Sequence, residues 1–225
     1  MKNTIKYLIL LIMCLACGVN LQAQNYTFRN VVMSDGLSGL LVNAIYKDSE
    51  GFVWLGTDNC LDRFDGVKVR HYEFRGMDSG RKKRVNCITE TADNQLWVGN
   101  GIGLWRLNRA NGQLERIVPE KIDFAVNTLL PDGDILYIGT EKGLFIQEDG
   151  QLLQVLTDRN MLAACNRIMD LCLNEDKSAL WLATVQGLFS YSLKDGKIDS
   201  WHFQENVPEA DYFRCLTRIG ETLYL

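Results

Sequence analysis

The side chains able to do chemistry are few in this chain, and they are scattered. Gly99-Asn100-Gly101-Ile102-Gly103 has the glycine density of a phosphate-cradling loop. Such a loop needs a helix behind it whose N-terminus meets the phosphate. Leu104-Trp105-Arg106-Leu107 is strand-like instead, so the glycines read as a turn. Five cysteines lie beyond residue 23: Cys60, Cys87, Cys165, Cys172 and Cys215. No Cys-x-x-Cys pair occurs among them, so a zinc site is not expected. An exported chain can form disulfides, but buried free thiols are the preferred reading. His71 and His202 fall on strand-like segments with no nucleophile, paired carboxylate or second ligand recurring beside them. No catalytic residue, metal or cofactor is therefore assigned.

Charge narrows the function classes. The net charge is −4 and the pI about 5.3. Nucleic-acid binding usually shows a basic patch. The run Arg81-Lys82-Lys83-Arg84 is isolated on an acidic chain and reads as a solvated loop, so no nucleic acid partner is expected.

The elements that must position any site come from a repeat. Trp54-Leu55-Gly56-Thr57 recurs as Trp97-Val98-Gly99-Asn100, Tyr137-Ile138-Gly139-Thr140 and Trp181-Leu182-Ala183-Thr184. The aromatic positions 54, 97, 137 and 181 lie 43, 40 and 44 residues apart. An apolar run precedes each copy: Val42–Ile45, Val85–Ile88, Val126–Leu129 and Ile168–Leu171. An Asp-Gly or Asn-Gly turn follows each, at residues 65–66, 111–112, 149–150 and 195–196. A period of about 40–45 residues built from short strands points to a β-propeller with four strands per blade. No segment beyond the leader keeps an apolar stripe at helical spacing, which excludes helical repeats. In the first blade the strands are expected near 44–46, 52–56, 61–64 and 68–74.

The fold class is therefore all-β: a propeller of four-stranded antiparallel blades, incomplete, with four blades and the start of a fifth. The repeats span about 42–74, 84–117, 124–156, 167–203 and 213–225. Residues 1–23 combine Lys2 and Lys6 with a 13-residue apolar run from Tyr7 to Val19 and end on Ala23. That pattern reads as a secretory signal peptide cut after Ala23, leaving no membrane span in the chain from residue 24 on and an exported location; the alternatives are an uncleaved anchor and a lipoprotein signal at Leu15-Ala16-Cys17. Tyr26–Phe28 is a candidate closing strand. Tyr224 falls at the aromatic position of a fifth repeat, so the chain is expected to be the front part of a longer protein.

Recurring residues are read as structure. Trp54, Gly56, Thr57, Trp97, Gly99, Tyr137, Gly139, Thr140, Trp181 and Thr184 form the repeat core. The copies disagree in the loop after each core, and loops on a rigid scaffold carry function. Asp58, Asn59, Asn100, Glu141, Lys142 and Gln186 are therefore the candidate ligand-binding residues.

The string Asp48-x-x-Gly51-x-Val53-Trp54-Leu55-Gly56-Thr57, continued by Leu61-x-Arg63-Phe64-Asp65-Gly66, resembles the two-component regulator propeller repeat. Phe28, Ser34-Asp35-Gly36-Leu37-Ser38 and Val42 are similar to the start of the sensor region in hybrid two-component regulators of polysaccharide-degrading gut anaerobes. The resemblance runs from about Tyr26 to Leu225. It departs at Cys60-Leu61, where the family usually has Gly-Leu, and mildly at Leu136-Tyr137 and Ala183. It implies a periplasmic sensor whose ligand is an oligosaccharide. In the whole protein it implies a homodimer, one membrane helix, and kinase, receiver and DNA-binding modules inside the cell. No kinase residue is present in these 225 residues. The alternatives are a stand-alone exported binding or scaffold propeller, or a non-functional gene fragment. A propeller lyase ranks third, because no catalytic constellation recurs.

Overall fold

The alternation around each repeated Trp or Tyr builds a middle strand that is covered on both faces. The computed structural model describes Tyr7 and residues 30–75, 83–117, 121–156, 167–201 and 212–225. The signal-peptide reading, the strand expected at Tyr26–Phe28, Cys165 and His202 lie outside these residues. Within Val32–Leu225 the secondary structure described is β, apart from a short 3-10 turn at Met33–Asp35.

Blade one contains β1 (Val42–Lys47), β2 (Val53–Thr57), β3 (Leu61–Phe64) and β4 (Val69–Tyr72). Blade two contains β5 (Val85–Glu90), β6 (Leu96–Asn100), β7 (Gly103–Asn108) and β8 (Gln113–Ile117). Blade three contains β9 (Val126–Asp132), β10 (Ile135–Thr140), β11 (Gly143–Glu148) and β12 (Gln151–Gln154). Blade four contains β13 (Ile168–Leu173), β14 (Ala179–Thr184), β15 (Gly187–Ser192) and β16 (Ile198–Trp201). A two-stranded sheet follows, β17 (Thr217–Ile219) and β18 (Thr222–Tyr224). In each blade the strands pair antiparallel in chain order. The first strands lie beside one another, β1 against β5, β5 against β9 and β9 against β13.

The apolar cores sit between blades. In β6, Leu96 and Val98 pack with Trp54, Leu61 and Tyr72 of blade one. Trp97, between them, joins Val126, Leu136 and Phe145 of blade three. One blade on, Leu136 and Ile138 belong to the core shared with blade two, and Tyr137 to the core shared with blade four. Successive residues of a strand point to opposite faces, so the aromatic always serves the following blade and its neighbours serve the preceding one. The repeat glycine lies two residues further along, on the aromatic's side. A Cβ on Gly56 would sit 2.5 Å from Val85 Cγ1, and one on Gly139 would sit 2.8 Å from Ile168 Cγ2. On Gly99 it would meet Val126 Cγ1 at 2.6 Å and overlap the Cys87 sulfur. Ala183 takes the same place in β14 and packs with Leu188 and Leu216.

Each first strand has a bulge at its second residue, and in blades two and three it adds a polar tie. Val85 opposes Asn100 and Cys87 opposes Gly99, so Asn86 is the extra residue. Asn43, Asn127 and Met169 are extra in the same way. A bulge re-aims its side chain. Asn86 Nδ2 donates to Val126 O at 2.9 Å, and Asn127 Nδ2 donates to Ile168 O at 2.8 Å. Met169 cannot donate, and Asp170 beside it links blades instead. Its carboxylate accepts from Thr128 Oγ1 at 2.9 Å and from Leu216 N at 2.8 Å.

Two predictions follow from this packing and from the turns. Adding a methyl group to a filled contact costs about 1–3 kcal/mol; Gly99→Ala is expected to lower unfolding free energy by that amount, measured by denaturant titration. In the turns from third to fourth strand, backbone donors of Lys68 and Val67 hold the Asp65 carboxyl below its usual range. The Ser192 hydroxyl and Lys197 hold Asp195 down to about 2. A folded pKa below the unfolded value gives stability that is complete above about pH 4 and lost as pH falls toward the folded pKa. The melting temperature should therefore drop on acidification through that window, and by less in Asp195→Asn.

Candidate functional site

The turn from second to third strand is closed by the side chain of the repeat's last residue, a threonine hydroxyl in blades one, three and four. Thr140 Oγ1 donates to Gly143 O at 2.8 Å and accepts from Lys142 N at 3.1 Å. Thr184 does the same with Gly187 O and Gln186 N, at 2.8 and 3.1 Å. Thr57 uses Cys60 O at 3.0 Å and Asn59 N at 3.2 Å. Asn100 replaces the threonine in blade two, and its Oδ1 accepts from Ile102 N at 3.0 Å.

These turns carry the candidate residues. Asp58, Asn59, Glu141, Lys142 and Gln186 are exposed, and Asn100 is fully buried. Asn59 Nδ2 is tied back to Ser38 O at 2.7 Å. The Lys142 ammonium lies 4.5 Å from the centre of the Phe124 ring. The sequence places these residues at equivalent positions of the repeat, and the structure holds each on a hydrogen-bonded turn.

Blade one departs from the repeat, and a pocket forms where it does. Asp62 of β3 stands where the other blades bury Trp105, Phe145 and Phe189. Its carboxylate is fully buried. One oxygen, Oδ2, accepts from Ser38 N and from Ser38 Oγ, both at 2.8 Å. The other, Oδ1, lies 2.7 Å from His71 Nδ1 and accepts from Cys60 Sγ at 3.2 Å. A buried carboxylate is tolerated only with such partners. A pocket of about 340 Å³ opens in front, lined by Ser38, Asn59, Cys60, His71, Glu73, Phe74 and Lys83. Burial pushes the Cys60 thiol up to about 12, and the nearby Asp62 charge adds to the rise. Cys60 donates to the carboxylate and not to the imidazole, so the trio does not activate a nucleophile in the manner of a Cys-His pair.

The sequence shows no second ligand recurring beside His71, and the structure agrees: the Cys60–Asp62–His71 group occurs in blade one alone among the described residues. Cys60 and Asp62 are two residues apart along β3, and β3 pairs with β4 so that Asp62 faces His71 directly. The Asp65-Gly66 turn carries that register, so the juxtaposition was available from the turn and the alternation. The buried-thiol reading fits Cys60; Cys87 and Cys172 are half-buried, and Cys215 is exposed just before the small β17–β18 sheet.

A second pocket of about 300 Å³ lies at the outer side of blades one and two, lined by Glu50, Arg63, Arg70, Tyr72 and Arg109 among others. The Arg109 guanidinium is occupied there, 2.6 Å from Glu90, 3.2 Å from Glu50 and 3.7 Å from Asp48. Asp48 in turn accepts from the Trp54 indole at 2.8 Å. This network joins two blades and reads as structure.

Comparison with known proteins bears on these features. The family model described as "Two component regulator propeller" matches residues 36–59, which include the first core and Asn59. Blade one carries this repeat signature, at residues 36–59. "Histidine kinase P4" of Formosa agariphila is 33% identical over 79 residues, which is 35% of this chain and 6% of that protein. Two structures of the extracellular domain of BT4673 from B. thetaiotaomicron also match, one titled a hybrid and the other a one component system. They give TM-scores of 0.63 and 0.64, at 24% and 25% identity over 78% and 80% of this chain. The chain spans only about a quarter of those domains, 24% and 25%. Virginiamycin B lyase of Staphylococcus aureus shares the fold alone, with TM-score 0.56 and 19% identity over 76% of this chain. Among the four described blades, blade one is the copy with an acid at this third-strand position.

That acid is expected to be structurally costly to remove. Asp62→Ala strands the Ser38 donors and His71, and losing bonds to a buried charged group costs about 1.5–3 kcal/mol each. Denaturant unfolding should show a loss of about 3 kcal/mol or more, larger than for His71→Ala on the half-exposed side.

Proposed function

We propose that this chain is the ligand-sensing part of an exported two-component sensor, and that its ligand is an oligosaccharide. The observation that carries the reading is the regulator propeller repeat itself. It lies in a chain that aligns over 78% of its length with the extracellular domain titled a hybrid two component system. The turns between second and third strands supply what sugar recognition needs. Carboxylate, amide and ammonium groups at Asp58, Asn59, Glu141, Lys142 and Gln186 stand on a rigid scaffold, with Asn100 as a buried support. Such groups fix orientation, and aromatic or apolar surface supplies contact area. The reading assigns binding, not catalysis, to this chain. It places the chain in the periplasm, and it leaves phosphotransfer to kinase modules of a dimeric whole protein.

Isothermal titration against a panel of oligosaccharides tests this. One glycan class is expected to bind, with affinity reduced at least about fivefold (about 1 kcal/mol) by Asn59→Ala, Lys142→Ala or Gln186→Ala. Silence across neutral, acidic and amino-sugar oligosaccharides, with the protein folded, would overturn it.

A further inference from the structure

We propose that Cys60, Asp62 and His71 form a site for one divalent metal ion of the zinc class, on the pocket side of blade one. The inference stands apart from the sugar reading and does not need it. Three observations carry it.

The first is the donor set. Thiol sulfur, carboxylate oxygen and imidazole nitrogen converge, and all three ligand atoms lie within 4.8 Å of one another. A tetrahedral ion with bonds of 2.0–2.3 Å separates its ligand atoms by about 3.3–3.7 Å. Cys60 Sγ and His71 Nδ1 lie 3.2 and 2.7 Å from Asp62 Oδ1. An ion therefore needs each of these two pairs to part by about an ångström or less. Thiolate with imidazole favours zinc over magnesium or calcium.

The second is support behind the ligands. Metal-binding carboxylates are held by outer hydrogen bonds that orient them. Of the two Asp62 oxygens, Ser38 engages Oδ2, through its amide and its hydroxyl, and so turns Oδ1 toward Cys60 and His71. All three ligands stand on or beside one paired hairpin, which is a rigid mount.

The third is an open side. Cys60 and His71 line the pocket of about 340 Å³, and so does Glu73. Glu73 sits two residues beyond His71, on the same face by strand alternation. Water, Glu73 or a bound hydroxyl group can complete a fourth position there. Binding breaks the Cys60 S–H bond and releases that proton to solvent as the metal–sulfur bond forms. The proton on His71 Nδ1 that faces Asp62 passes through solvent to Nε2, so the neutral ring binds the ion through Nδ1.

Metal-free protein titrated with Co²⁺ and Zn²⁺ tests the site. One ion per chain is expected, with a thiolate-to-cobalt charge-transfer band and tetrahedral d–d bands that Zn²⁺ abolishes. Zn²⁺ should raise the melting temperature, and EDTA should reverse the rise. Cys60→Ser should lose the charge-transfer band, His71→Gln should lose the thermal shift, and Ser38→Ala should bind about tenfold more weakly. Should Cys60→Ser fail to fold, a variant keeping Cys60 with the other cysteines changed to serine must still show the band. No stoichiometric binding, or equal binding by Cys60→Ser and His71→Gln, overturns the proposal and leaves a hydrogen-bonded trio.

Discussion

A missing Cβ sets the spacing of the blades. At Gly56, Gly99 and Gly139 the first strand of the next blade comes so close that a methyl group has no room. That approach seats the aromatic two residues earlier against the same neighbour. It also brings the bulged Asn86 and Asn127 within reach of the next blade's first carbonyl. Burying a large aromatic is worth about 1.5–3 kcal/mol, and it is gained only at this distance. The polar tie and the apolar contact are thus one constraint. Where the glycine becomes Ala183, the bulged amide is also gone, and Asp170 makes the link.

Blade one keeps this outer geometry and changes its third strand. The other blades fill that position with Trp105, Phe145 or Phe189, while Asp62 brings a charge into a buried place. Removing one partner from a buried charge is more damaging than any gain the pair provides. Ser38, from the segment before the blade, is therefore held in place by Asp62 as much as it holds Asp62. The consequence is a fixed start to the propeller and a polar pocket in a scaffold whose other third strands are apolar there.

The blade architecture was legible because it is written several times. The period, the aromatic, the glycine and the Asp-Gly or Asn-Gly turn each recur, and local signals agree with one another. The alternation of Leu96, Trp97 and Val98 was visible, but its meaning needed the fold. Only the packing shows that alternate residues belong to cores on two sides. The Cys60–Asp62–His71 trio was harder to see. Comparing copies favours what recurs, and these residues occur together once. Asn100 was grouped with exposed loop residues, yet it is fully buried, because it fills the turn-closing position that Thr57, Thr140 and Thr184 occupy.

The contact between successive blades has a direction. A blade presents an aromatic and a glycine (Ala183 in blade four) to its successor and a pair of aliphatic side chains to its predecessor, so unlike surfaces meet at the joints. Such heterologous contacts, repeated with a constant rotation, either close into a ring or run on as an open helix. The number of blades in a closed ring is then fixed by the angle of one joint. The tightest part of three of these joints is one small place, the repeat glycine and the β-branched residue that fills its gap, so the geometry of a whole ring would be set where a single methyl group has no room.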